Sequence, residues 1–164
     1  VHAEAQAAWD LRRWLGWIRA QGGERVGAYG LSLGGYNAAL LAGLDTELAC
    51  VVAGIPATDL ADLVWEHGPA HILHVAESRG LSRERAAHVL RVVSPLALAP
   101  RVPPEKRSIF GGTADQLVPP RQVEALARHW GRPITTWYSG AHITFGIHAG
   151  VTKHLADALS GLRS

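Results

Sequence analysis

The sequence has 164 residues, 48% of them hydrophobic and 18% charged, which gives one globular domain with a real core and excludes a disordered chain. Its 16 basic and 14 acidic residues leave a net charge of +2, too balanced for a nucleic-acid binder or for a protein held on an anionic membrane. No uninterrupted apolar run reaches membrane-span length, and His2 and Glu4 break any signal-peptide pattern, so the expectation is a cytoplasmic protein without a membrane span. The one cysteine, Cys50, allows no intrachain disulfide and lies in an apolar run as a small core residue. The sequence begins at Val1 and contains no Met, and it reads as a piece of something longer or as a processed product.

In chain order, residues 3–21 have helical periodicity, with Ala7, Ala8, Leu11, Trp14, Leu15 and Ile18 on one stripe expected to face the core, and Trp9 off it. Gln21-Gly22-Gly23 ends that helix. Arg25 to Tyr29 is a short strand that runs into Gly30-Leu31-Ser32-Leu33-Gly34-Gly35 and then a small-residue helix to Leu44. The unbroken apolar run Leu48 to Ala53 suits a strand buried on both faces of a parallel sheet. Residues 57–93 read as three short helices, with breaks at Gly68-Pro69 and Gly80, and fit a helical insertion over an active site. His67 and His71 are spaced as metal ligands on one helix would be, but Gly68-Pro69 interrupts that helix and no carboxylate or cysteine completes a set; no metal or cofactor is expected. Lys106 to Gly111 is a third strand, Arg121 to Trp130 a helix, Pro133 to Tyr138 a fourth strand, and a last helix covers residues 150–159. Alternating strands and helices predict an α/β domain with a mostly parallel sheet flanked by helices.

Three chemical groups fall beyond the carboxyl ends of these strands, where open parallel sheets bind ligands: Ser32 after the first, Asp115 after the third and His142 after the fourth. Ser32 occupies a G-x-S-x-G pattern between strand and helix, the setting of a nucleophile elbow, in which glycines on either side relieve crowding. A serine hydroxyl needs an imidazole to take its proton, and the imidazole needs a carboxylate to fix its tautomer. The Leu33 N–H, at the start of the helix, is a candidate oxyanion donor. Each residue also has a plainer reading: Ser32 as an N-cap, Asp115 as a solvated turn residue, His142 as a loop histidine. Asp59 and Asp62 follow the second strand and read as openers of a helix; His148 and His154 read as surface or core-edge residues.

Gly30-Leu31-Ser32-Leu33-Gly34-Gly35, the stretch Gly111 to Pro119, Ser139-Gly140-Ala141-His142 and Ser94-Pro95-Leu96 resemble the C-terminal part of an α/β-hydrolase-fold serine hydrolase over nearly the whole chain. The resemblance implies one partial hydrolase domain over 1–164, with 57–93 as a lid that shapes substrate choice. It implies Ser32 as nucleophile, His142 as base and Asp115 as acid in hydrolysis of a carboxylic ester, thioester or amide through an acyl-enzyme, on a small-molecule acyl substrate. Serine at the elbow sets the chain apart from dehalogenases and epoxide hydrolases, which carry Asp there. The family's first strands, and the loop with the second oxyanion donor, have no counterpart here. That implies a missing N-terminal half or a partner copy of the chain. The alternative is a non-catalytic hydrolase-like scaffold or an inactive fragment.

Overall fold

The computed structural model describes residues 1–162; residues 163 and 164 of the expected domain lie outside it. Helix α1 (His2–Ala20) leads to strand β1 (Gly27–Leu31), helix α2 (Leu33–Leu44) and strand β2 (Cys50–Gly54). Helices α3 (Leu60–His67), α4 (Ala70–Ser78) and α5 (Arg83–Leu90) follow, then β3 (Arg107–Gly112), α6 (Pro120–His129), β4 (Ile134–Tyr138) and α7 (Ala149–Ser160). The four strands form one parallel sheet in the order β1-β2-β3-β4, with Gly27 opposite Cys50, Val51 opposite Arg107 and Ser108 opposite Ile134. All four therefore end on the same edge, at Leu31, Gly54, Gly112 and Tyr138.

Strand β2 is buried at every position, as its unbroken apolar run requires, because helices cover both faces of the sheet. On one face Leu15 of α1, Ala38 and Ala42 of α2, and Val123, Leu126 and Trp130 pack on Val51, Ala53 and Ile109. On the other, Val151 of α7 joins Val52, Ile55, Phe110 and Tyr138. Fully burying each large side chain contributes about 1.5–3 kcal/mol. The alanines and glycines of α2 let that helix lie close against β1 and β2. Cys50 is buried, and burial pushes its thiol pKa up.

Two sequence expectations change. Strand β1 sits two residues later than Arg25–Tyr29, because Gly30 and Leu31 still pair with Ala53 and Gly54. The strand thus runs directly into Ser32. On α1 the expected stripe buries only Ala8 and Leu15; Trp14 is 60% exposed, Leu11 is exposed, and Trp9 and Trp17 also face outward. Helix α1 packs on α2, through Ala8 on Tyr36 and Leu40 and through Leu15 on Ala38 and Leu41. Among the described residues β1 pairs with β2 alone. Its outer edge, with Tyr29 exposed, therefore stands open beside that aromatic face.

Candidate active site

The site begins at the junction of β1 and α2. Ser32 has φ 55° and ψ −115°, a conformation that costs an L residue about 1–3 kcal/mol. Backbone hydrogen bonds hold it there: its N–H donates to the Gly54 carbonyl (2.9 Å), and its carbonyl accepts from Tyr36 (3.0 Å) and Ala57 (3.2 Å). Ser32 stands at the N-cap position of α2, but its hydroxyl makes no capping bond to the helix. A Cβ on Gly30 would lie 2.0 Å from the Gly34 carbonyl oxygen, and one on Gly35 2.6 Å from that of Gly54. A Cβ on Gly34 would meet open space. The turn is therefore tight at Gly30 and Gly35, and the second glycine of the G-x-S-x-G pattern is not the one it needs. Leu33 is the first residue of α2, where a backbone N–H has no partner inside the helix and the helix dipole is positive.

Asp115 lies in the loop after β3 with no exposed side-chain surface. One carboxylate oxygen, Oδ1, accepts from the N–H groups of Leu117 (3.0 Å) and Val118 (2.9 Å). The other, Oδ2, accepts from Nδ1 of His142 at 2.7 Å. Accepting at Nδ1–H fixes the imidazole tautomer and leaves Nε2 to receive a proton. The His142 loop is tied back to the end of β4: Tyr138 Oη donates to the Ala141 carbonyl (3.0 Å), and Ala114 N–H donates to the Gly140 carbonyl (3.1 Å). Burial, then the Asp115 charge, push the Tyr138 pKa up to about 12, so its hydroxyl stays a donor. Phe145 in the same loop and Leu31 before the elbow pack on one apolar cluster, so the loop folds over the sheet end where Ser32 sits.

The structure thus joins Asp115 and His142 directly and puts Ser32 at the same end of the sheet. No hydrogen bond joins Ser32 to His142 among the described residues; such bonds often tighten only around substrate. Asp59 caps α3, accepting from Asp62 N–H (3.0 Å). Asp62 is held by Arg83, Arg121 and Gln122, which ties α3 to α5 and α6. His148 stacks on Tyr138, and buried His154 pairs with Thr136 (2.9 Å). His67 and His71 stand on different helices, and among the described residues no group of three or more His, Cys, Asp or Glu could hold a metal. Sequence reasoning missed Tyr138 as an anchor, although its partner Ala141 is three residues on, and His67, whose Nε2 lies 2.9 Å from the carbonyl of Leu117, 50 residues away.

Sizeable concavities lie away from Ser32, Asp115 and His142. A 470 Å³ pocket opens at the amino ends of the strands beside α7. A 390 Å³ groove runs between α1, β1 and α2, lined by Trp14, Tyr29 and Leu41 among others. The groove follows from the open edge of β1. Among the described residues no helix is long and apolar enough to cross a membrane.

No family model matches the sequence. Uncharacterized proteins from two strains of Mycobacterium tuberculosis are 45% identical over 167 residues, covering 99% of this chain. The chain spans 40% of those relatives' length. Among solved structures, an acetyl xylan esterase from a Paenibacillus species superposes with a TM-score of 0.72 at 20% identity, over 93% of this chain and 52% of that one. An enol-lactonase from Burkholderia xenovorans gives 0.63 at 19% identity, over 96% and 73%. A puromycin-hydrolyzing peptidase from Mycobacterium tuberculosis gives 0.65 at 18% identity, over 90% and 24%.

Proposed function

The chain has part of an α/β-hydrolase fold, the fold of hydrolytic enzymes, and from that premise we propose that it carries the catalytic residues of a serine hydrolase. The observation that carries this reading is the 2.7 Å bond between buried Asp115 and His142, at the same sheet end as a serine held at positive φ. The reaction follows from the groups. Ser32 Oγ attacks the carbonyl carbon of an ester, thioester or amide while His142 Nε2 takes its proton. The Leu33 N–H donates to the oxyanion, and Asp115 stays ionised and steadies the imidazolium. His142 returns the proton to the departing alcohol, thiol or amine, leaving an acyl group on Ser32. Water, deprotonated by His142, then releases the acid and restores the serine. The substrate is a small acyl compound, and helices α3 to α5 serve as the lid that selects it.

The remainder of the protein completes this site. Relatives more than twice as long, an open β1 edge and the uncovered face of Trp14 and Tyr29 support the reading that strands outside this sequence, on its N-terminal side, add to β1. Those strands bring the loop with the second oxyanion donor, whose loss costs about 10²–10³-fold in rate. A hydrolase-like scaffold without catalysis is the competing reading, favoured by the absence of a Ser32–His142 bond among the described residues. Hydrolysis of aryl acyl esters by the full-length protein, abolished in His142→Ala, supports the enzyme; full-length protein with no turnover of graded acyl esters, thioesters or amides supports the scaffold.

A further inference from the structure

His67 is the last residue of α3, and its Nε2 lies 2.9 Å from the Leu117 carbonyl oxygen. A carbonyl only accepts, so the Nε2 carries the proton. The peptide group that ends in that carbonyl continues into the N–H of Val118, and that N–H donates to Asp115 Oδ1 at 2.9 Å. The opposite carboxylate oxygen takes His142 Nδ1. One peptide plane therefore stands between a histidine of the α3 helix and the acid of the proposed triad. Drawing charge onto its carbonyl makes its N–H a stronger donor, since hydrogen bonds in series polarise one another.

We propose that His67 is a positioning residue for the Asp115–His142 pair, acting through the Leu117–Val118 peptide; this rests on the acyl-enzyme reading above. The geometry suits a fixed tether. Asp62 and Glu66 of α3 are both bound by Arg121 of α6, and Gln122 donates to Asp62 (2.9 Å). A Cβ on Gly68 would lie 2.5 Å from the Val64 carbonyl oxygen, and the Gly68 N–H closes the helix on that carbonyl (2.8 Å). The helix thus stops with His67 facing the acid loop. The Leu117 side chain is 52% exposed and gives its loop little apolar anchorage, whereas Val118 is buried. The His67 bond then fixes the tilt of the 117–118 peptide, and with it the direction in which Asp115 presents Oδ2. Helix α4 begins three residues after His67 and, like α5, buries no residue.

Three variants separate this role from simple packing. His67→Ala removes ring and donor, His67→Phe keeps the ring, and His67→Gln keeps a donor at the place of Nε2. The measurements are the rate of fluorophosphonate labelling of Ser32 and the NMR positions of the Val118 amide and His142 imidazole protons, both in the full-length protein. The expected result is about a five-fold loss of labelling rate in His67→Ala and His67→Phe. The Val118 and His142 resonances should move in the same two variants, and His67→Gln should recover both readouts. His67→Phe matching wild type, or His67→Gln no better than His67→Ala, overturns the proposal. Labelling that persists in Ser32→Ala overturns the acyl-enzyme reading instead, and the two resonances then decide the tether alone.

Discussion

Asp115 Oδ2 lies 2.7 Å from His142 Nδ1, with the carboxylate fully buried and the imidazole side chain 17% exposed. A charge in that position is costly unless it is hydrogen-bonded, and two backbone N–H groups on Oδ1 and the imidazole on Oδ2 supply three donors. Replacing Asp115 by Asn keeps the shape but offers the imidazole an amide and favours the wrong tautomer. The comparable change in serine proteases costs about 10⁴-fold. Labelling of Ser32 in Asp115→Asn should fall by that order while the far-ultraviolet circular dichroism stays unchanged. An Asn variant that labels at the wild-type rate would remove Asp115 from the mechanism.

The elbow makes a sharper statement about its glycines than the motif does. Gly30→Ala and Gly35→Ala drive a methyl group into backbone and should each destabilise the chain by about 1–3 kcal/mol. Gly34→Ala meets nothing within 4 Å and lies in the first turn of α2, where alanine gains up to about 1 kcal/mol of helix propensity. Urea midpoints should therefore fall for the first two and hold or rise for the third. Equal losses at all three would show that the turn is built differently.

Tyr138 predicts an alkaline limb. Its pKa is raised to about 12 from 10.0, first by burial and then by Asp115, so the folded state prefers the neutral phenol. The unfolded chain releases that proton earlier. The stability this group contributes is thus full below pH 10 and is lost as the pH rises toward 12. Tyr36 is raised more strongly, also first by burial, and adds its own loss over the same range. Tyr138→Phe should lower stability near neutrality by about 1 kcal/mol, through the Ala141 bond, and should fall less steeply than wild type between pH 10 and 12. Parallel curves for the two proteins would refute the assignment.

The open face should show itself in the isolated chain. Trp9, Trp14, Trp17 and Tyr29 are all exposed, and among the described residues the outer edge of β1 is unpaired, a combination that promotes association. Sedimentation velocity should show concentration-dependent self-association that Trp14→Lys with Tyr29→Lys reduces. If strands of the full-length protein cover this face, as proposed, its tryptophan emission should be blue-shifted relative to this chain. A chain that stays monomeric at every concentration, together with full-length emission unshifted from it, would contradict the reading.

Much of this arrangement is written locally. The buried run of β2, the strand–serine–helix junction and the separate loops holding Asp115 and His142 each follow from residues adjacent in the chain. What the sequence hides depends on partners far along it. Asp62 looks like a helix opener, but Arg83 and Arg121, 21 and 59 residues away, make it an ion-pair hub. His67 meets Leu117 across 50 residues. On α1, periodicity marks an apolar stripe without marking what covers it, so Leu11 and Trp14 read as core and are exposed. The motif names Gly34 and leaves Gly35 outside it; only the approach of Gly54 shows that Gly35 is the one the turn needs.

The central claim is that Ser32 becomes covalently acylated. A fluorophosphonate carried by the full-length protein, located by peptide mass spectrometry, tests this without a known substrate. The expected result is one adduct on Ser32, absent from Ser32→Ala and strongly slowed in His142→Ala. An adduct on another residue, or labelling that survives Ser32→Ala, would contradict the account.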